Sequence, residues 1–312
     1  MMPARRARSD VTVPSGEQLE IALGDQRATV VEVGAGLRTY AARGREILDG
    51  YGVEEASPSG RGQVLVPWPN RVEDGAYEFD GRRHQLPLNE LERRNAIHGL
   101  VRWSAWTLAE RGPDRVALEH VRHPQPGYPF TLALRIEYSL SERGLAVRTT
   151  ATNAGREPSP YGFGQHPYFF AGPETVDTAV LRVPARTVLR TDERGIPRGA
   201  DPVEGTDYDF REPRPIGATQ LDHAFTDLER GSDGLARVEL SDPAGGSGLA
   251  VWMDEAYPYV QVFTGDPLPD VARRSVAVEP MTCAPNAFRS GEGLIRLEPG
   301  QAHTGRWGIS PD

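Results

Sequence analysis

The chain has 312 residues, with Gly 34, Pro 27, a single cysteine and a formal net charge of −9. The lone Cys283 excludes an internal disulfide framework and a cysteine-based zinc site, and a negative chain offers no field to attract phosphate backbones, so no nucleic-acid partner is expected. All 35 basic residues are arginine, which removes Schiff-base catalysis by a lysine, a P-loop lysine and the kinase strand lysine.

At the N-terminus, Met1–Asp10 is Arg-rich but leads into no apolar segment, so it does not read as a secretory signal. Residues 1–13 are expected to be a disordered tail and 14–312 a single domain. Leu19, Ile21 and Leu23 then recur at every second position, turn at Gly24–Asp25, and are answered by Ala28–Val33. Glu54–Gly62 reads as a surface excursion. Trp106–Leu108 and Val116–Glu119 flank a turn at Gly112–Pro113–Asp114, and His123–Pro129 reads as a loop. The clearest hairpin follows: Leu134, Ile136, Tyr138 and Leu140 alternate with Arg135, Glu137 and Ser139, break at Arg143–Gly144, and resume at Leu145, Val147 and Thr149. Arg190–Gly217 and Asp266–Arg274 read as loops. Between them Val238–Leu240 and Leu249–Val251, separated by a loop at Asp242–Gly248, and Tyr259–Phe263 continue the period of two.

No segment keeps a helical apolar stripe over about 11 residues, and no apolar run reaches about 18, so neither a long helix nor a membrane-crossing one is expected. Gly and Pro make up about a fifth of the chain and punctuate short strands. The pattern predicts one large all-β domain, cytoplasmic and monomeric by default with a dimer as the alternative, touching neither membrane nor nucleic acid.

Five segments place polar groups among aromatic, Pro and Gly residues, where a plain strand would not: Pro67–Arg71, Ala96–Gly99, Gly164–Phe170, Leu221–Phe225 and Val278–Met281. Such loops on a rigid scaffold commonly carry function. Each also has a plain structural reading. His166 before Pro167 can satisfy its ring at a strand end, Asn70 and Asp222 are turn-forming residues, and Arg71 can be one surface arginine among many. Glu279 ends the apolar run Val276–Val278, so it is expected to be partly buried, which raises a carboxylate's pKa unless it is paired and suits a general base. His120 and His123 have an H-x-x-H spacing with no carboxylate at helical spacing, so no metal is expected. There is no G-x-S-x-G, and Gly34–Ala35–Gly36 lacks the third glycine of a dinucleotide fingerprint.

Taken in order, Asn70–Arg71, His98–Gly99, His166–Pro167–Tyr168–Phe169, Asp222–His223–Ala224–Phe225 and Val278–Glu279–Pro280 give a sequence that resembles the aldose 1-epimerase (galactose mutarotase) family over residues 18 to 310. The resemblance implies a large antiparallel β-supersandwich with an open sugar cleft and cofactor-free interconversion of the anomers of a small sugar. It implies His166 as catalytic acid and Glu279 as catalytic base. It further implies that Asn70, Arg71, His98, Asp222 and Gln261 line the sugar site, the last carried by Val260–Gln261–Val262–Phe263–Thr264–Gly265. Trp68, Tyr168 and Phe263 are candidates for an apolar face under the sugar. The chain departs from galactose mutarotases proper at Pro167, at Leu100 and in Glu279–Ala287, and there it looks like a divergent bacterial subgroup that includes sulfoquinovose mutarotase-like proteins. A C6 phosphate or sulfonate would need an anion pocket, for which Arg71, Arg102, Arg273 and Arg274 are candidates. Two other readings stay open: a glycoside hydrolase using Glu279 and Asp222, and a non-catalytic carbohydrate-binding protein.

Overall fold

The computed structural model describes residues 13–170, 175–243, 248–269 and 271–312. The expected tail therefore lies outside the described residues except for Val13, as do residues 244–247 of the Asp242–Gly248 loop. Strands dominate the chain. The one α-helix among the described residues is the single turn Ala287–Ser290, and none is long and apolar enough to cross a membrane.

The central hairpin forms as its alternation dictates. Leu132–Ser141 pairs with Gly144–Asn153 from Leu132↔Asn153 to Ser141↔Gly144. Leu132, Leu134, Ile136, Tyr138 and Leu140 turn inward together with Leu145, Val147, Thr149 and Ala151. Each large apolar side chain so buried contributes about 1.5–3 kcal/mol, and a register slip by one residue would turn the whole set outward. This hairpin sits within a nine-stranded sheet that runs from Thr107–Arg111 at one edge, through Arg115–Arg122, the hairpin, Ala302–Pro311, Gly248–Met253, Ala236–Ser241 and Val180–Arg182, to Arg214–Pro215.

A second, eight-stranded sheet packs against it. Its order is Pro197–Pro202, Ala185–Thr191, Asp222–Leu228, Tyr259–Phe263, Val276–Met281, Gly164–Gln165 and Val64–Leu65, with Tyr168–Phe169 also pairing onto Val276–Met281. Val260, Val262, Val276, Val278 and Phe225 of this sheet share one continuous core with Ile136, Val147, Trp307 and Ile309 of the first. The result is an antiparallel β-sandwich, with a further four-stranded sheet formed by residues between Gln18 and Glu46.

Two loop expectations change. Arg190–Gly217 is not one loop: Pro197–Pro202 folds back on Ala185–Thr191 as an edge strand, where prolines are tolerated because one side of the strand has no ladder to serve. Glu54–Gly62 begins at the surface but ends in a 3₁₀ turn, Pro58–Gly60, followed by buried Arg61 and Gly62.

Candidate active site

Every residue of Val276–Met281 is buried, on both faces of the sheet. Val276 and Val278 point into the sandwich, so the pleat sends Ala277, Glu279 and Met281 the other way. Register fixes the neighbours: Gln261 lies directly across from Glu279, and Ala224 of the next strand across from Gln261. Asp222 stands two residues along, within diagonal reach, and accepts a hydrogen bond from Gln261 Nε2 at 2.7 Å. Period two and this register together gather Glu279, Gln261 and Asp222 on the face away from the core.

His166 comes from the short connection between Gly164–Gln165 and Tyr168–Phe169, both strands held by the sheet. Its Nε2 lies 3.4 Å from Glu279 Oε1, with the two side chains 7% and 3% exposed. The Tyr168 ring stacks on the imidazole at 4.9 Å and 6°, and the His98 ring meets it edge-on at 5.2 Å. Gly60 closes the near side at φ +78°, where a β-carbon would stand 3.1 Å from His166 Cδ2.

Asn70 and His98 arrive as a pair. Arg71–Glu73 and Asn95–Ile97 form a two-stranded ladder with Arg71 opposite Ile97, so the residue before one strand and the residue after the other are neighbours. His98 N–H donates to Asn70 O at 2.9 Å. Both sit at positive φ, 53° and 62°. Asn tolerates this conformation and here receives the Arg71 N–H on its own side-chain oxygen; for a histidine it costs about 1–3 kcal/mol, a strain typical of functional positions. Arg71 itself forks onto Glu90 at 3.1 Å and reaches Asp222 at 3.6 Å.

These residues line an open cleft of about 380 Å³, with Asn70, Arg71, His98, His166, Asp222 and Glu279 all on its wall. Gln261 differs from the expectation. It is buried beneath Asp222 and beside Glu279, and it does not face the cleft, so it holds the wall rather than forming it. Of the three candidate aromatics, Tyr168 and Phe263 line the cleft while Trp68 packs in the core against Phe288.

Sequence reasoning missed Glu90, Asn89, Ser57, Ser59 and Trp103, which also line the cleft. Trp103 is 59% exposed at the rim, with the Arg102 guanidinium 5.6 Å from its ring. A tryptophan four residues after Gly99 is the one signal that the sequence offers for it.

The four candidate anion-pocket arginines separate cleanly. Arg273 is paired with Asp177 and Asp266, Arg274 with Asp49, and Arg71 with Glu90 and Asp222. Arg102 lines the cleft with no carboxylate within ion-pair distance among the described residues; its guanidinium donates to the Gln63 side-chain oxygen at 3.3 Å and lies over the Trp103 ring. Burial pulls its pKa down.

Burial also dominates the protonation of the site. It pushes the Glu279 carboxyl well above its usual range, with Asp222 adding to the effect and Arg71 opposing it. It pulls His166 down to about 3, helped by Arg102, Arg61 and Arg71, and pulls His98 well below the usual histidine value, helped by His166 and the same Arg102 and Arg71. Burial works against the charge on Arg71 too, but Asp222 and Glu90 outweigh it. Glu279 Oε2, His166 Nδ1, His98 Nδ1 and Gln261 Oε1 are buried without a hydrogen-bond partner among the described residues. Away from the cleft, His120 hydrogen-bonds the Ala105 carbonyl and lies against Trp106, and among the described residues no three His, Cys, Asp or Glu side chains are grouped to hold a metal ion.

Known proteins resemble the chain in sequence and in fold. The model of the family described as aldose 1-epimerase matches residues 17–310. The chain is 37% identical over 290 residues to the uncharacterized protein YihR of Escherichia coli, covering 93% of this chain and 91% of that protein. It is 29% identical over 224 residues to the galactose mutarotase of Rattus norvegicus, covering 66% and 62%. In structure it superposes on the GalM/aldose epimerase homologue from C. elegans with TM-score 0.85 at 18% identity, covering 95% and 98%, and on galactose 1-epimerase from Lactobacillus acidophilus with TM-score 0.80 at 22% identity, covering 99% and 98%. The last two likenesses are of fold.

Proposed function

The chain belongs to the aldose 1-epimerase family, and from that premise we propose that it interconverts the α and β anomers of a free aldose by acid–base opening and reclosure of the sugar ring, with Glu279 and His166 as the proton-transferring pair. The observation that carries this reading is the 3.4 Å approach of His166 Nε2 to Glu279 Oε1 inside a cleft wall lined with hydrogen-bonding side chains. Ring opening needs one group that accepts a proton and one that gives a proton at nearly the same place. Burial disfavours a lone carboxylate and a lone imidazolium alike, so the pair is most stable with one proton between its two members.

Opening starts from the minor arrangement in which the pair's single proton sits on His166, the form that burial disfavours: Glu279 takes the proton of the C1 hydroxyl, the C1–O5 bond breaks with its electron pair going to O5, and His166 delivers its proton there. The aldehyde turns about C1–C2. On reclosure O5 attacks the other face of C1 and returns its proton to His166, while Glu279 protonates the former carbonyl oxygen, so both groups end as they began. Asn70, Arg71, His98 and Asp222 are placed to orient the hydroxyls, the arginine as a rigid fork of donors and the aspartate as an acceptor. Gln261 supports Asp222 from behind. Tyr168, Phe263 and Trp103 offer apolar surface to the sugar's C–H faces.

A sugar carrying an anion at C6 is favoured over a neutral one by a separate observation: Arg102, a half-buried guanidinium on the cleft wall with no carboxylate paired to it among the described residues. NMR exchange spectroscopy with glucose, galactose, glucose 6-phosphate and sulfoquinovose tests both statements. Accelerated anomer exchange that disappears in Glu279→Gln supports the mutarotase, and a preference for the anionic sugars that disappears in Arg102→Gln supports the anion subsite. Sugar binding without exchange overturns the catalytic reading in favour of a binding protein.

A further inference from the structure

Four planar groups follow one another from behind the cleft wall to its surface: Arg61, Tyr168, His166 and His98, the last three lining the cleft. The Arg61 guanidinium lies over the Tyr168 ring at 4.4 Å, and Tyr168 lies flat on His166 at 4.9 Å. His98 closes the far end edge-on. Arg61 is 3% exposed and is held by Asp49, whose side-chain Oδ2 accepts from Nη2 at 3.0 Å and whose backbone oxygen accepts from Nε at 3.2 Å. The Tyr168 hydroxyl donates to Ser59 O at 3.1 Å, and the Asp49 N–H donates to Tyr168 O at 2.9 Å. Tyr168 is therefore fixed at its backbone, at its hydroxyl and across its face.

We infer that Arg61 is a positioning residue for His166, acting on the imidazole through the ring of Tyr168. This rests on the reading of His166 as a proton-transferring group. Asp49 does not need Arg61 for its own neutralisation, because Arg274 reaches it at 2.7 Å and the Ser275 hydroxyl at 2.6 Å. Salt-bridge duty alone leaves the seating of Arg61 over the Tyr168 ring unexplained. A cation over an aromatic ring that also stacks on an imidazole does two things. It anchors the ring against which the imidazole rests, and it places a permanent positive charge near a group that must take up and release a proton. The other charged or titratable groups around His166 are Glu279, His98, Arg71, Arg102 and Tyr168 itself. Arg61 is the one among them that acts from behind the wall, out of the cleft.

Removing this cation makes protonation easier, so both limbs of the pH profile of kcat/KM are expected to move to higher pH in Arg61→Gln, by about half a unit to one unit. In Arg61→Lys, which keeps the charge against Asp49, the limbs stay within about 0.2 units of the parent. A purely structural arginine would lower the amplitude or the melting temperature and leave the limbs where they are. Unmoved limbs in Arg61→Gln, or equal movement in Arg61→Lys and Arg61→Gln, overturn the inference. A second readout does not depend on turnover. The His166 Hε1 resonance, assigned by its loss in His166→Asn, is shielded by the stacked Tyr168 ring and should shift in Arg61→Gln while Asp49, still bound to Arg274 and Ser275, keeps the fold. If the parent protein accelerates no anomer exchange, the function reading fails, and this resonance alone decides the positioning role: an unchanged shift refutes it.

Discussion

On the solvent face of the nine-stranded sheet, Arg135 bridges Glu110, Glu119 and Glu137 at 2.7, 2.6 and 3.2 Å, and Arg148 adds a further pair to Glu137. On the cleft face of the eight-stranded sheet, Arg71 bridges Glu90 and Asp222 beside His166 and Glu279. Beside the Arg135 network, Glu110, Glu137, Arg148 and Arg306 line a depression of about 390 Å³, close to the cleft's 380 Å³, with similar arginine and carboxylate chemistry. Solvent separates them. Glu110 and Glu119 are 61% and 53% exposed, so water and salt screen their pairs, whereas Glu279 is 3% exposed and next to an imidazole, so neither can carry charge freely. A charged sheet face turns into a reactive one when its groups are dry and their hydrogen bonds are left incomplete.

The largest test of this contrast removes the dry pair. Glu279→Gln and His166→Asn should each lower kcat/KM for anomer exchange by about 10²–10⁴-fold, read by polarimetry or NMR, with far-UV circular dichroism unchanged. Next, Arg71→Lys keeps a cation but loses the fork, and should raise KM about tenfold with kcat altered less, in steady-state kinetics on the preferred sugar. A third test uses pH and stability. Folded His166 protonates at about 3, well below the unfolded value, so the unfolded chain binds more protons between about pH 6.5 and 3 and stability falls as pH drops through that window. His166→Asn removes the effect, and the difference between parent and variant in urea unfolding should change by up to about 1.4 kcal/mol per pH unit there. Glu279 has the opposite sign. Its raised folded pKa favours folding below about pH 4.3, and this contribution is lost as pH rises through the folded value, so Glu279→Gln should be more stable than the parent at neutral pH and lose that advantage in acid. The smallest effect belongs to the wet face: Arg135→Gln should cost under about 1 kcal/mol in the same unfolding experiment and leave turnover unchanged.

The alternation at residues 134–140 and 145–149 was enough to place the central hairpin, because each inward residue buries apolar area that the opposite register would expose. The same period lies behind the grouping of Glu279, Gln261 and Asp222, but the order of the strands that carry them is set by contacts far apart in the chain. Only the family resemblance brought those residues together before the fold did. Glu90 had no motif to mark it, since its role comes from an ion pair to Arg71 across an irregular connection. Gln261 was recognisable as a site residue, yet whether a side chain faces the cleft or props up its wall depends on what packs above it. The prolines of 197–202 hid an edge strand for a local reason: a proline removes a ladder donor, and a sequence does not show which strands have a free side. The Asp49–Arg61–Tyr168 stack joins residues more than a hundred positions apart and left no pattern to read.

The proposed proton-transferring pair rests on unequal foundations. Glu279 sits midway along Val276–Met281, a strand buried on both faces and flanked by ladders on both sides. His166 lies between two-residue strands, with the half-exposed turn at Pro58–Gly60 against its ring. Amide protons of the Glu279 strand should therefore exchange with deuterium only when the whole molecule unfolds, while those of residues 57–62 should exchange through smaller openings that leave the sandwich intact. The proposed base is thus expected to keep a fixed place in the fold, and the proposed acid, beside the turn at residues 57–62, to be the more mobile of the two.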